Sequence, residues 1–259
     1  MSKLFNLVAV LILLLILISG CTTPLRLNIS QSRYDLPEVV GDSDTALEFG
    51  ILYDEYAVTF TEDAENIPVE TDTPLVDKVD PDSYAGSDTF WKFGIYHGFT
   101  EWLELSYKLD VYHTFGSKIQ LLGEPRSKSK KGNYSAAVTL SFSATQTEDD
   151  ENGNTDASVE SRFQDYALLL GYRPHDRALL YTSVFRTRYD YNIEIEPLAI
   201  NGNRERFSGD VDVNGYAVGF NYDFTDTFFI TIELLKSTLE TGSVELDESF
   251  YGINFGIKN

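Results

Sequence analysis

The chain has 259 residues, 20 Lys and Arg against 41 Asp and Glu, three His, one Cys and a formal charge of −21. That negative surplus repels phosphate and excludes nucleic acid as a partner. The single cysteine excludes a disulfide framework and any multi-cysteine metal site, and 42% hydrophobic residues exclude wholesale disorder.

The first element is an address. Residues 1–21 read MSKLFNLVAVLILLLILISGC, with Lys3 ahead of an unbroken apolar run of 12 residues from Leu7 to Ile18. That run is too short for a spanning helix and suits a signal-peptide core. Ile18-Ser19-Gly20-Cys21 resembles the lipobox of bacterial lipoproteins: a branched aliphatic, two small residues, then the cysteine. The resemblance implies removal of residues 1–20 and a diacylglycerol and acyl chain on Cys21, the one lipidation site and the only covalent group expected; no other cofactor and no metal are. Thr22 replaces the Asp that favours inner-membrane retention in enterobacterial lipoproteins, which implies export to the outer membrane. An uncleaved anchor with an incidental cysteine is the alternative. Residues 21–43 then read as a lipidated tether, and Arg26, Arg33, Asp35 and Pro37 within it also suit a plug.

From residue 44 to 259 the hydrophobic period is two. Leu47, Phe49, Ile51 and Tyr53 interleave with Glu48, Gly50, Leu52 and Asp54, and the same period runs through Leu103 to Val111, Tyr134 to Ala144 and Tyr251 to Ile257. The spacing predicts ten strands, at about 44–60, 88–98, 102–113, 116–123, 133–146, 159–172, 177–194, 210–223, 227–240 and 244–257. Alternating direction puts the short breaks, with the basic turn Gly123–Asn133, on one side, where the chain is taken to enter. It puts three long acidic breaks, 61–88, 146–158 and 196–209, on the other, with tight turns near 114–115 and 241–243.

Two packings use such strands: a soluble sandwich or barrel with its apolar face inward, and a transmembrane barrel with that face toward lipid. The even strand number, the unequal turns and a girdle set of Trp91, Tyr134, Tyr172, Tyr181, Tyr189, Tyr191, Tyr222, Phe228 and Tyr251 favour an all-β transmembrane antiparallel barrel. The pattern resembles the bacterial outer-membrane β-barrel class. Phe250-Tyr251-Gly252-Ile253-Asn254-Phe255-Gly256-Ile257 resembles the C-terminal strand such proteins present to the barrel-assembly machinery, although the chain ends on Lys258-Asn259. The resemblance implies an outer-membrane location and that machinery as a partner.

Charges at membrane depth must face a lumen or one another. The lumen candidates are Lys92, Glu104, Lys108, Asp110, Arg186, Arg188 and Glu233. Ten strands lie near the size that side chains fill, so these charges read as pairs across a narrow plugged lumen, or as a polar conduit lined by Arg186, Arg188 and Lys108. The acidic breaks read as solvated loops, or as sites for divalent cations shared with lipopolysaccharide, with membrane lipid around the barrel. Glu148–Gly153 departs from a calcium loop, since Val159 stands where the bidentate Glu belongs. His97, His113 and His175 lack a nucleophile motif, so no catalytic residue is expected. The expected role is structural, surface-interacting or partner-binding. A narrow channel and a lipid-tethered soluble ligand-binding barrel are the alternatives.

Overall fold

The computed structural model describes residues 25–29, 33, 35–53, 56–60, 89–110, 112–152, 155–197, 205–241 and 244–259. Its strands are β1 (Leu25–Ile29), β2 (Thr45–Tyr53), β3 (Tyr56–Phe60), β4 (Thr89–Gly98), β5 (Leu103–Leu109), β6 (His113–Leu122), β7 (Tyr134–Ser143), β8 (Gln146–Asn152), β9 (Thr155–His175), β10 (Ala178–Pro197), β11 (Glu205–Asp223), β12 (Phe228–Thr241) and β13 (Val244–Lys258). The described residues contain no helix.

Ten of these strands close on themselves. Antiparallel pairing runs β2-β4-β5-β6-β7-β9-β10-β11-β12-β13 and returns to β2, where Phe255 stands opposite Phe49. Closure leaves no edge within the barrel, which hydrocarbon demands. Of the other three strands, β8 extends the wall, and β1 and β3 form a separate two-stranded sheet. β8 continues β7 along β9, so Gln146 meets Ser161 and Asn152 meets Thr155. β1 pairs with β3, from Leu25 opposite Phe60 to Ile29 opposite Tyr56. β3 follows β2 in the chain and β1 lies near the outer strands β8 and β9, so β1 is at the end where the long connections are.

The strand faces show why the chain closes this way round. Leu47, Phe49, Ile51, Trp91, Phe93, Leu105, Phe115, Ile119, Leu140, Leu168, Leu170, Val184, Val218, Phe220, Ile232, Ile253 and Phe255 are all exposed on the outside. Between them, inward, lie Glu48, Lys92, Glu104, Lys108, Lys118, Asp165, Asn221, Thr231, Glu233 and Asn254, all buried. An apolar band around a polar lumen is the inverse of a soluble barrel and identifies a transmembrane one. Trp102, Phe99 and Phe224 border the band at the short-turn end, and Trp91, stacked on Phe49 at 5.0 Å between ring centroids, borders it at the other.

Above the band the polarity of the faces reverses. On β9 the outward series runs from Tyr172, Leu170, Leu168 and Tyr166 to Gln164, Arg162 and Glu160, while Phe163 and Val159 turn inward. β10 does the same: Leu180 and Val184 face out, then Arg186 and Arg188, whereas Tyr189, Tyr191 and Ile193 are buried inside. The outer ends of β9 to β12 therefore project as a water-facing sleeve with its own apolar core.

Three sequence expectations change. The tight turn expected at 114–115 lies at 110–112, and Thr114 and Phe115 belong to β6. The acidic break 146–158 is largely strand, because its backbone pairs along β8 and β9 beyond the band. Tyr181, Tyr189 and Tyr191 are not girdle residues; strand alternation turns them into the lumen, nearly inaccessible. The break 61–88 and Cys21 lie outside the described residues.

Candidate functional site

The lumen is occupied by the chain's own Arg33 and residues 35–40. Pro37 fixes its own φ and holds Leu36 extended, so this segment stays a ribbon rather than a helix. Its described residues from Arg33 to Val40 are all buried. It descends from mid-barrel to the short-turn end and reverses at Gly41, whose φ of +130° suits glycine, into β2.

Each step of the descent is paired to the wall. Arg33 forms a two-pronged pair with Asp165, with Nη1 2.7 Å from Oδ2, donates to Thr187 Oγ1 at 3.0 Å and lies 3.6 Å over the Phe185 ring. Lys92 Nζ donates to the Arg33 carbonyl at 3.0 Å. Lys108 Nζ grips both Asp35 oxygens at 2.6 and 2.7 Å. Leu36 packs with Leu179 and Tyr181. Gly171 leaves room for Pro37; a Cβ there would stand 2.5 Å from Pro37 Cγ. Lower down, the backbone N–H of Val39 and Val40 donate to Gln120 Oε1 at 2.8 Å and Glu104 Oε2 at 2.9 Å, and Lys118 Nζ sits 2.7 Å from Glu104 Oε1.

Glu38 anchors the lower end. Its carboxylate accepts Arg173 Nε at 2.9 and 3.0 Å, Arg173 Nη2 at 2.6 Å, Ser129 Oγ at 2.6 Å and Asn133 Nδ2 at 3.0 Å. The basic turn closes the barrel below it. Arg126 N donates to the Val39 carbonyl at 2.8 Å, and its guanidinium bonds Asn221 at 3.0 Å and Asp223 at 2.8 Å, 3.9 Å over Phe229. Asp223 also pairs with Lys258, at 2.9 Å. Further out on this turn, Lys128 pairs with Glu101, and that hydrogen bond holds its ammonium above the usual lysine range.

A second seal lies above the ribbon. Tyr112, Phe163 and Tyr189 form a ring cluster, with centroids 5.2 Å apart for Tyr112–Phe163 and for Phe163–Tyr189, and Tyr112 Oη lies 3.0 Å from Ser161 Oγ. Val159, Ile193, Val211, Val213 and Leu239 are buried around it. The lumen is therefore closed at two heights, by ions below and by a dry core above.

Of the lumen candidates, Lys92, Glu104, Lys108 and Glu233 are buried inside; Glu233 accepts Tyr181 Oη at 2.8 Å. Asp110 is half-buried at the β5–β6 turn, where it caps Tyr112 N at 2.8 Å. Arg186 and Arg188 point the other way. They lie outside, 60% and 54% exposed by side chain, beside Asp212 and Asp190. The reason is parity: on β10 the odd residues face in, and the charged outward positions stand above the lipid band. The decisive residues Glu38, Asp165, Arg173 and Arg126 were not among the candidates. Arg126 and Arg173 read as solvated turn bases, and the one available signal was the charge of residues 33–38 in an otherwise short tether.

Elsewhere, His113 accepts or donates to Tyr107 Oη at 2.6 Å, and His97 to Thr45 Oγ1 at 3.0 Å. No metal-binding cluster occurs among the described residues. Two clefts open beside the barrel wall: one of about 590 Å³ against Ile119, Val138, Leu168 and Val184, and one of about 430 Å³ between Arg162, Asp190, Asn192 and Asp210.

No protein-family model matches the sequence. No curated protein matches it. Among solved structures, it is similar to the attachment invasion locus protein Ail of Yersinia pestis, at 8% identity and a TM-score of 0.36, over 84% of this chain and 99% of that one. It is also similar to the N-terminal β-barrel domain of Pseudomonas aeruginosa OprF, at 14% identity and a TM-score of 0.31, over 85% and 99%, and to the Pseudomonas putida toluene transporter TodX, at 7% and 0.23, over 84% and 68%. At such scores the likenesses carry nothing further; the barrel stands on its own strand pairing.

Proposed function

We propose that this chain is an outer-membrane lipoprotein, acylated on Cys21, whose barrel is a sealed platform for surface interaction rather than a conduit or an enzyme. The observation that carries this reading is the filled lumen: Arg33 and residues 35–40 are tied to the wall by Arg33–Asp165, Lys108–Asp35 and Arg173–Glu38, and Tyr112, Phe163 and Tyr189 close the space above. A lumen occupied by its own buried and paired side chains passes no hydrated solute. In this reading the long connections face outward, as in bacterial barrels generally. The carboxylates there, with Asp190, Asp210 and Asp247 exposed on the sleeve, are the binding surface for a partner or for divalent cations shared with lipopolysaccharide.

Planar bilayers test it. The purified protein is expected to give no steps of conductance over a range of voltages, and steady channels in the native protein would refute the sealed platform. Deleting 61–88 should abolish surface binding while the barrel still migrates faster unboiled than boiled. Binding that survives the deletion would remove the acidic surface from the reading.

A further inference from the structure

The ribbon in the lumen has a direction, and the direction places the N-terminal end. Arg33 sits at mid-height, on Asp165 and Thr187; Glu38 sits low, on Arg173; Val40 packs with Ala46 and Tyr96 at the short-turn end, where β2 begins. Going backward along the chain from Arg33 therefore means going up. Four residues earlier, β1 is at the long-connection end, zipped to β3 and near the outer strands β8 and β9. The C-terminus stays at the opposite end, where Asn259 N donates to the Thr45 carbonyl at 3.0 Å.

We propose that β1, Arg33 and residues 35–40 belong to one thread through the barrel that delivers the acylated N-terminus to the cell surface, so that the lipid on Cys21 enters the outer leaflet, opposite the side of the short turns and the C-terminus. The lipid part of this rests on the lipoprotein reading above; the thread itself does not. Chain length decides the leaflet. Cys21 is four residues from Leu25, a reach of at most about 14 Å. The hydrocarbon band of such a barrel is about 25 Å tall. Four residues let the cysteine fold back onto the near leaflet and cannot take it to the far one. The even strand number, which by itself would put both termini on one side, is overridden because the chain crosses the barrel once more, inside.

Four consequences make the placement physical rather than incidental. The thread carries one positive and two negative charges, Arg33, Asp35 and Glu38, and each finds its opposite on the wall: Asp165 and Arg173 on β9 and Lys108 on β5. A tether lying outside the lumen would leave these wall charges buried and unpaired, which is costly. The paired wall residues are distributed along the depth of the barrel, so they fix the ribbon's register and its polarity. And β1 adds an antiparallel pair that clamps the emerging end outside.

The test is sidedness in intact cells. A short epitope is inserted after Thr23 in one strain and after Lys130, in the short basic turn, in another; antibody staining is compared before and after permeabilisation. Metabolic labelling with an alkyne palmitate, abolished in Cys21→Ser, reports acylation separately. The expected result is full staining at position 23 on intact cells and staining at position 130 only after permeabilisation. Both epitopes on one side would overturn the thread, and position 130 outside with position 23 inside would overturn the orientation. Missing palmitate label with the expected sidedness would remove the lipid and leave the thread standing. An antibody raised against the peptide 22–32 reads the unmodified protein, so a tagged chain that fails to assemble does not spare the proposal: no staining of intact wild-type cells, with staining after permeabilisation, overturns it.

Discussion

Replacing Glu38 by Gln removes the charge at the foot of the thread while keeping its shape. Glu38 and Arg173 are almost wholly buried, at 0% and 1% side-chain exposure, and the carboxylate also accepts from Ser129 and Asn133. Removing one partner of such a pair costs about 3–5 kcal/mol, because the other charge stays buried without compensation. Here Arg173 keeps Asp223 at 3.6 Å and the Asp176 carbonyl at 2.9 Å, which places the loss at the lower end, about 3 kcal/mol. At about 1.4 kcal/mol per power of ten, that is roughly a hundredfold shift toward the unfolded chain. With a urea dependence of about 1–3 kcal/mol per molar, the midpoint should fall by about 1–3 M. The assay is the urea concentration at which the fast-migrating unboiled band disappears, in detergent micelles of one composition. Replacing both Glu38 and Arg173 by Met should recover much of the loss, since removing both charges removes the burial cost as well. A single variant that costs less than about 0.5 kcal/mol, as an exposed pair would, or a double variant no better than the single, would refute the placement of Glu38 in the lumen.

Other outcomes follow from the same geometry. Gly171→Val sets a side chain against Pro37 without altering a charge, so it should dislodge the thread and give conductance steps in planar bilayers where the wild type gives none. Ile232→Arg, on the lipid face, should cost about 2–4 kcal/mol in refolding into vesicles, whereas Glu240→Arg, on the outer sleeve, should change stability by less than about 0.5 kcal/mol. Arg186→Ala and Arg188→Ala, outward and solvated, should each leave the urea midpoint close to that of the wild type; a large loss would return them to the lumen.

The wall was legible in the sequence because period-two alternation depends on neighbours one and two residues apart. Leu103 to Leu109 or Tyr251 to Ile257 announce a strand by themselves, and ten such runs with unequal breaks imply closure. The sleeve was less legible. On β10 the polar and apolar faces exchange roles near Arg186, and alternation alone does not say at which residue lipid gives way to water. The acidic run of β8 was hidden for the same reason: its polarity reads as loop, while the backbone pairing with β9 makes it strand. The site was the least legible part. Glu38 and Arg173 are 135 positions apart, and Arg33 and Asp165 132, so nothing local marks them as partners. Arg126 looked like a turn base because it is one, and Arg173, near the end of β9, looked like another; only closure of the barrel shows that the basic turn folds up into its mouth.

The claim beneath all of this is that the outer wall touches acyl chains, and the native protein carries its own probes. Its two tryptophans, Trp91 and Trp102, are 59% and 54% exposed, at opposite borders of the apolar band. Reconstituted in vesicles of lipids brominated along the acyl chain, both should be quenched, most by bromines placed near the headgroup, while aqueous iodide has little effect. Fluorescence untouched by brominated lipid and quenched by iodide would mean that this wall faces water.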